Sequence, residues 1–146
     1  MKIQKLAVVA LAAMVALGKA SVAWSGPRPI QTLEYFVGAW NCSGSFPATC
    51  RAISSNIRFE RDLGGAAILK HHDDGPPFSY RAAEEWVYDS AQKHFLASIV
   101  DASAGMRTFS SDGWGDGAFI WNSGSDVVPK QQFVYTKLTD DTMRVD

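Results

Sequence analysis

From Leu33 onward, apolar and polar residues alternate in short runs, and each run stops at a cluster of Gly, Pro, Asp or Asn. The runs are Tyr35–Phe46, Ala52–Glu60, Ala66–His72, Tyr80–Tyr88, His94–Val100, Met106–Ser110, Ala118–Asn122 and Gln132–Leu138, with a further start at Thr142. A period of two places successive side chains on opposite faces of a pleated strand. The intervening residues are those that tolerate positive φ or preset the first corner of a turn. No stretch after the leading segment keeps helical period over three turns, apart from a single turn at Pro29–Phe36. Evenly spaced strands joined by a few residues predict an all-β, antiparallel up-and-down meander.

The leading segment stands outside that pattern. Lys2 and Lys5 precede an uninterrupted apolar run, Leu6–Gly18, and Ser21-Val22-Ala23 is a small-x-small site. This is the layout of a secretory signal peptide over 1–23. The apolar run is shorter than the ~20 residues needed to span a bilayer. Residues 24–32 then read as a linker, and 33–146 as one β domain. The expected compartment is periplasmic or secreted. The chain carries 14 basic and 15 acidic side chains, and three of the lysines lie in the leading segment. The remainder is mildly acidic with no basic run, which argues against nucleic acid and against binding to anionic membranes after cleavage.

Alternation assigns faces. Tyr80, Ala82, Glu84, Trp86 and Tyr88 share one face, as do Phe95, Ala97 and Ile99, and Phe119 and Trp121; these sets are predicted to point inward. Placing Lys70 in solvent sends Ala67, Leu69 and His71 inward and His72 outward. A one-residue slip reverses any such assignment. Glu84 is expected to be exposed, or else buried against Arg107. Cys42 and Cys50 sit symmetrically about Phe46, so a chain reversal there would bring them face to face as a disulfide, in a compartment that permits one. The rival is a partner for Cys42 beyond Asp146.

Several motifs carry weaker chemistry. His71-His72-Asp73-Asp74 has metal-like composition, but adjacent strand residues point apart, so no metal is expected. Gly113-Trp-Gly-Asp-Gly117 leads into a strand rather than a helix and reads as a turn, not a phosphate cradle. No Gly-x-Ser-x-Gly elbow occurs and no catalytic residue is assigned.

Phe36-x-Gly38-x-Trp40, with the export signal and the succession of strands, resembles the lipocalin-like calycin proteins. In such barrels the glycine bends the first strand and the indole plugs the base. The best match is a bacterial exported, lipocalin-like family of unknown function, on Tyr35-Phe-Val-Gly-x-Trp-x-Cys-x-Gly44, His71-His72-Asp73-Asp74-Gly75-Pro76-Pro77-Phe78 and Phe109-x-x-x-Gly113-Trp114. The resemblance implies a barrel that continues past Asp146 for a further hairpin, so the meander is expected to be incomplete at its C-terminus. It also implies binding of a small apolar or amphipathic ligand, with Trp40, His71, Tyr80, Trp86, Arg107, Phe119 and Trp121 as candidate lining residues. Gly38-x-Trp40-x-Cys42-x-Gly44-x-Phe46-Pro47 is similar to the opening of nitrobindin as well. The haem-ligating histidine of that family lies in strands this chain does not reach, so haem is a secondary reading and no other cofactor is expected. The alternatives are a structural or interaction module whose interior is filled by its own side chains and, behind it, an enzyme using the same cup.

Overall fold

A computed structural model of the chain describes residues 28–46 and 49–146. The signal-peptide expectation over 1–23, and most of the linker, lie outside the described residues. A helical segment, Pro29–Phe36, precedes ten strands: β1 (Gly38–Phe46), β2 (Arg51–Asp62), β3 (Ala67–Asp74), β4 (Arg81–Asp89), β5 (His94–Asp101), β6 (Met106–Ser111), β7 (Trp114–Gly115), β8 (Ala118–Ser123), β9 (Gln132–Lys137) and β10 (Met143–Val145). They form one antiparallel sheet in chain order, with the two-residue β7 pairing only with β8. The sheet curls into a half-barrel that stays open between its edge strands, β1 and β10. Among the described residues no helix is long and apolar enough to cross a membrane.

Turn chemistry placed the strand ends close to where the alternation put them. Tyr35 is the exception, because the helix runs on through Phe36. This helix is of the 3₁₀ type, with three residues per turn, so Ile30, Leu33 and Phe36 eclipse one another and all three are buried. Pro29 stands at its start, where a missing N–H costs nothing. The Arg28 backbone N–H donates to the Gln31 side chain at 3.0 Å, and the Thr32 hydroxyl donates to the Pro29 carbonyl at 2.7 Å.

The concave face of the sheet holds the core. Phe59, Ile68, Trp86, Phe95, Ala97, Ile99, Phe109, Phe119, Trp121 and Tyr135 are all buried on it. The base is plugged by Phe36 rather than Trp40. Phe36 is fully buried, with its ring 5.3 Å from Trp86, 5.6 Å from Phe59, 5.4 Å from Tyr135 and stacked at 5.3 Å on Trp114. Trp40 is half-buried beside this plug, and its indole N–H donates to the Phe36 carbonyl at 2.7 Å. The helix also reaches the other edge, since the Tyr35 hydroxyl donates to the Thr142 carbonyl at 2.8 Å. The Gly113–Gly117 segment contains the short β7 and turns at Asp116-Gly117 into β8, and its Trp114 donates to the Thr32 carbonyl at 2.9 Å, pinning the helix from below.

Two further sequence expectations are overturned. In β3 the inward residues are Ile68, Lys70 and His72, so His71 faces out and Lys70 is buried. Cys42 and Cys50 are not bridged; both are free thiols. Phe46 pairs with Arg51 and Cys42 with Ser55, so the reversal centres beyond Phe46, not on it. Cys50 lies at the hairpin tip, where its N–H bonds the Phe46 carbonyl at 2.8 Å. Cys42 lies four residue steps from Phe46, roughly 13 Å along the strand, about twice the reach of a disulfide.

Gly38 opens β1 at φ 139°, a conformation that L residues rarely adopt, and a Cβ built there meets nothing within 4 Å. Gly38→Ala should therefore pay only the backbone term, about 1–3 kcal/mol, seen as a lower urea midpoint at unchanged slope.

Candidate binding site on the concave face

Three layers stack up the concave face. The lowest is the aromatic floor around Phe36, where Trp86, Phe119 and Trp121 pack with ring centroids 5.1–6.4 Å apart. Rings at these separations leave no room for a ligand among them.

The middle layer is polar and sealed. Lys70 Nζ donates to Glu84 Oε1 at 2.7 Å and to the Tyr135 hydroxyl at 3.0 Å, and the Trp86 indole N–H donates to Glu84 Oε2 at 2.9 Å. Lys70 and Glu84 are adjacent in the β3–β4 register, while Tyr135 comes from β9 on the facing wall. Lys70 is 4% and Glu84 8% exposed, so both charges are removed from water and each needs the other. Burial pushes the Lys70 ammonium down, but Tyr135 and Glu84 outweigh it and raise its pKa above the ordinary 10.5. Burial raises the Tyr135 phenol as well, against the pull of Lys70. Cys42 faces this layer from β1, half-buried, with its thiol pushed up by burial and partly drawn back by Lys70.

The upper layer is partly open. Arg107 on β6 donates from Nη2 to the Tyr80 hydroxyl at 2.7 Å and to Asp101 Oδ2 at 3.2 Å, and from Nη1 to Gln131 Oε1 at 2.8 Å. Its Nε is buried and has no partner. Burial raises the Tyr80 phenol, with Arg107 pulling the other way. Asp101 is held below the ordinary carboxylate range first by the Ser103 hydroxyl, which it also meets through the backbone, and then by Gly105 N–H and Arg107. Opposite, Asp74 Oδ1 accepts from the Ser55 hydroxyl at 2.6 Å and lies 2.7 Å from His72 Nε2. The His72 ring stands edge-on to Tyr80 at 5.5 Å, which joins the two polar groups. Ile57, Ile99 and Phe133 supply apolar surface between them and the floor.

The candidate residues therefore separate into three sets. Tyr80 and Arg107 meet in the upper layer. Trp86, Phe119 and Trp121 lie together but are sealed in the floor, and Trp40 flanks it at the β1 edge. His71 is on the convex face, beside a depression of about 410 Å³ that is also lined by Asn41, Asn56, Arg58 and Asp73. Glu84 is buried against Lys70, not exposed, and Arg107 has Asp101 as its acidic partner. Sequence reasoning missed Lys70, His72, Asp74 and Asp101. The available signal was joint: if Trp86 and Glu84 point inward, a buried carboxylate needs a cation, and the neighbouring strand offers Lys70. Among the described residues no cluster of three metal-ligating side chains occurs.

No protein-family model matches the chain, and no curated protein matches it.

Lys70→Met strands the Glu84 charge and should cost about 3–5 kcal/mol, whereas Lys70→Met/Glu84→Gln, which keeps an acceptor for Trp86, should recover much of that loss. A double-mutant cycle by urea denaturation measures both. The pH dependence follows from the same layer. Folding raises the pKa of Lys70 above 10.5 and of Tyr135 above 10.0, so the native state holds these protons more tightly than the unfolded chain. Their stabilisation is complete below those values and is lost as pH climbs beyond them. Melting temperature should accordingly fall above about pH 10, and fall less steeply in the double variant.

Proposed function

We propose that the chain is an exported, lipocalin-like carrier that binds a small apolar or amphipathic molecule in the upper half of its concave face. The observation that carries the reading is the Arg107 guanidinium. It projects inward from β6 above a sealed floor, bonded to Tyr80 and opposite Ile99 in the β5–β6 register, with one buried N–H left without a partner. Binding pockets combine apolar walls with a few placed polar groups, and the upper layer has that composition. The apolar part of the ligand lies on Ile57, Ile99 and Phe133, while Arg107 and Tyr80 orient its polar end. His71 has no part in this, being on the other face; His72 takes the place the sequence had given it. Export rests on the leading basic-apolar-small segment alone.

The rival reading, a filled structural module, draws on a different observation. Trp86, Phe119 and Trp121 are at most 2% exposed, and two surface depressions of about 410 Å³ each lie along β1 and β2, with neither Arg107 nor Tyr80 in their linings.

Native mass spectrometry of the purified protein, followed by titration with 1-anilinonaphthalene-8-sulfonate, separates the two. Carrier function predicts a co-purified mass or saturable one-to-one binding, weakened about tenfold by Arg107→Gln, since a charged hydrogen bond contributes ~1.5–3 kcal/mol. No adduct and no saturable binding would leave the filled module standing.

A further inference from the structure

Arg107 has already spent most of its donors inside the protein, and the ones it has spent limit what it still binds. A guanidinium carries five N–H groups in one fixed plane. Nη2 holds two of them, and both are engaged, by the Tyr80 hydroxyl at 2.7 Å and by Asp101 Oδ2 at 3.2 Å. Nη1 gives one to Gln131 Oε1 at 2.8 Å. A carboxylate or phosphate is gripped by two parallel N–H groups. The guanidinium offers such a pair along two edges, Nη1 with Nη2 and Nε with Nη2, and each needs an Nη2 hydrogen. Neither edge is complete, so no forked grip on an oxyanion remains.

Charge leads to the same result. Asp101 offsets Arg107. Opposite stands Asp74, which His72 offsets only when protonated. Below them Lys70 and Glu84 cancel. These groups leave the upper layer no spare positive charge, so a carboxylate moved into it from water would be poorly compensated.

The polar capacity left around Arg107 is that of a donor. Its Nε–H is buried and has no partner. The Tyr80 hydroxyl accepts from Arg107, and its own hydrogen meets no acceptor among the described residues. Burial raises the Tyr80 pKa, so the phenol keeps that hydrogen through the neutral range. Both donors belong to one bonded pair of side chains, with Ile99 opposite Arg107 on β5 as the adjoining apolar surface. An uncharged carbonyl oxygen has two lone pairs for such donors and brings no charge to bury.

We propose, resting on the carrier reading above, that the polar end of the ligand is an uncharged carbonyl, as in a ketone, ester or amide. Its oxygen accepts from the Tyr80 O–H and the Arg107 Nε–H, and the site selects against a carboxylate of the same shape.

Isothermal titration calorimetry of the purified protein at neutral pH, with 2-nonanone and octanoate, tests this. The two share chain length and differ by a methyl group against an ionised oxygen. The ketone should bind about tenfold more tightly. Tyr80→Phe removes one donor and frees an Nη2 hydrogen, so it should weaken 2-nonanone about fivefold and strengthen octanoate. Asp101→Asn keeps an acceptor for Arg107 but removes the offsetting charge, and should raise octanoate affinity about tenfold. Circular dichroism confirms that both variants keep the fold, and the comparison of the two ligands on the unmodified protein needs neither variant. Octanoate as the tighter ligand, or a ketone affinity indifferent to Tyr80→Phe, overturns the carbonyl assignment and leaves the carrier standing. Binding of neither ligand overturns both.

Discussion

A lysine from one wall of this half-barrel is held by a carboxylate beside it and a phenol across from it. Lys70 and Glu84 sit on neighbouring strands, which alone would make a local pair. The bond to Tyr135 on β9 turns the pair into a strut spanning the concave face. A single curled sheet has no second layer to pack against, so contacts across its own concavity must hold its curvature. The floor rings supply the non-directional part of that hold. The strut supplies the directional part, because a buried ammonium placed without both partners is costly. Glu84 in turn fixes the Trp86 indole, whose ring lies against Phe36, Phe59 and Trp121. Charge and aromatic packing are therefore one construction, and the sheet cannot flatten without breaking both.

The strut also divides the concave face. Everything below it is dry and filled. Above it, Arg107, Tyr80, His72 and Asp74 are satisfied largely by one another and stay partly accessible. The helix Pro29–Phe36 reinforces the division by touching both edges at the base, through Trp40 on β1 and Thr142 before β10. No such bridge joins the edges higher up among the described residues. The floor is thus sealed by the helix, while Tyr80, His72 and Arg107 above it stay only partly buried among the described residues.

Much of this organisation was legible in the sequence. The strand boundaries followed from Gly, Pro, Asp and Asn clusters, and the inward faces of β4, β5 and β8 followed from their aromatic and aliphatic alternation. β3 was illegible for a physical reason. Ala67-Leu69-His71-Asp73 and Ile68-Lys70-His72-Asp74 are equally amphipathic, so burial preference cannot choose between them. The rule that lysine belongs in water decided wrongly, because it took no account of Glu84 one strand away. The cysteine pairing failed on turn placement, since symmetry about Phe46 in sequence is not symmetry in the hairpin, whose register is set by Phe46 and Arg51. The plug was misassigned for a related reason. Phe36 reaches the centre of the base only because the preceding residues form a 3₁₀ turn, and its three-residue period was not weighed against the strand pattern. Of the candidate site, Tyr80 was placed inward by alternation, while Asp101 and Gln131, which hold Arg107, stand at a strand end and in a loop, where alternation carries little information.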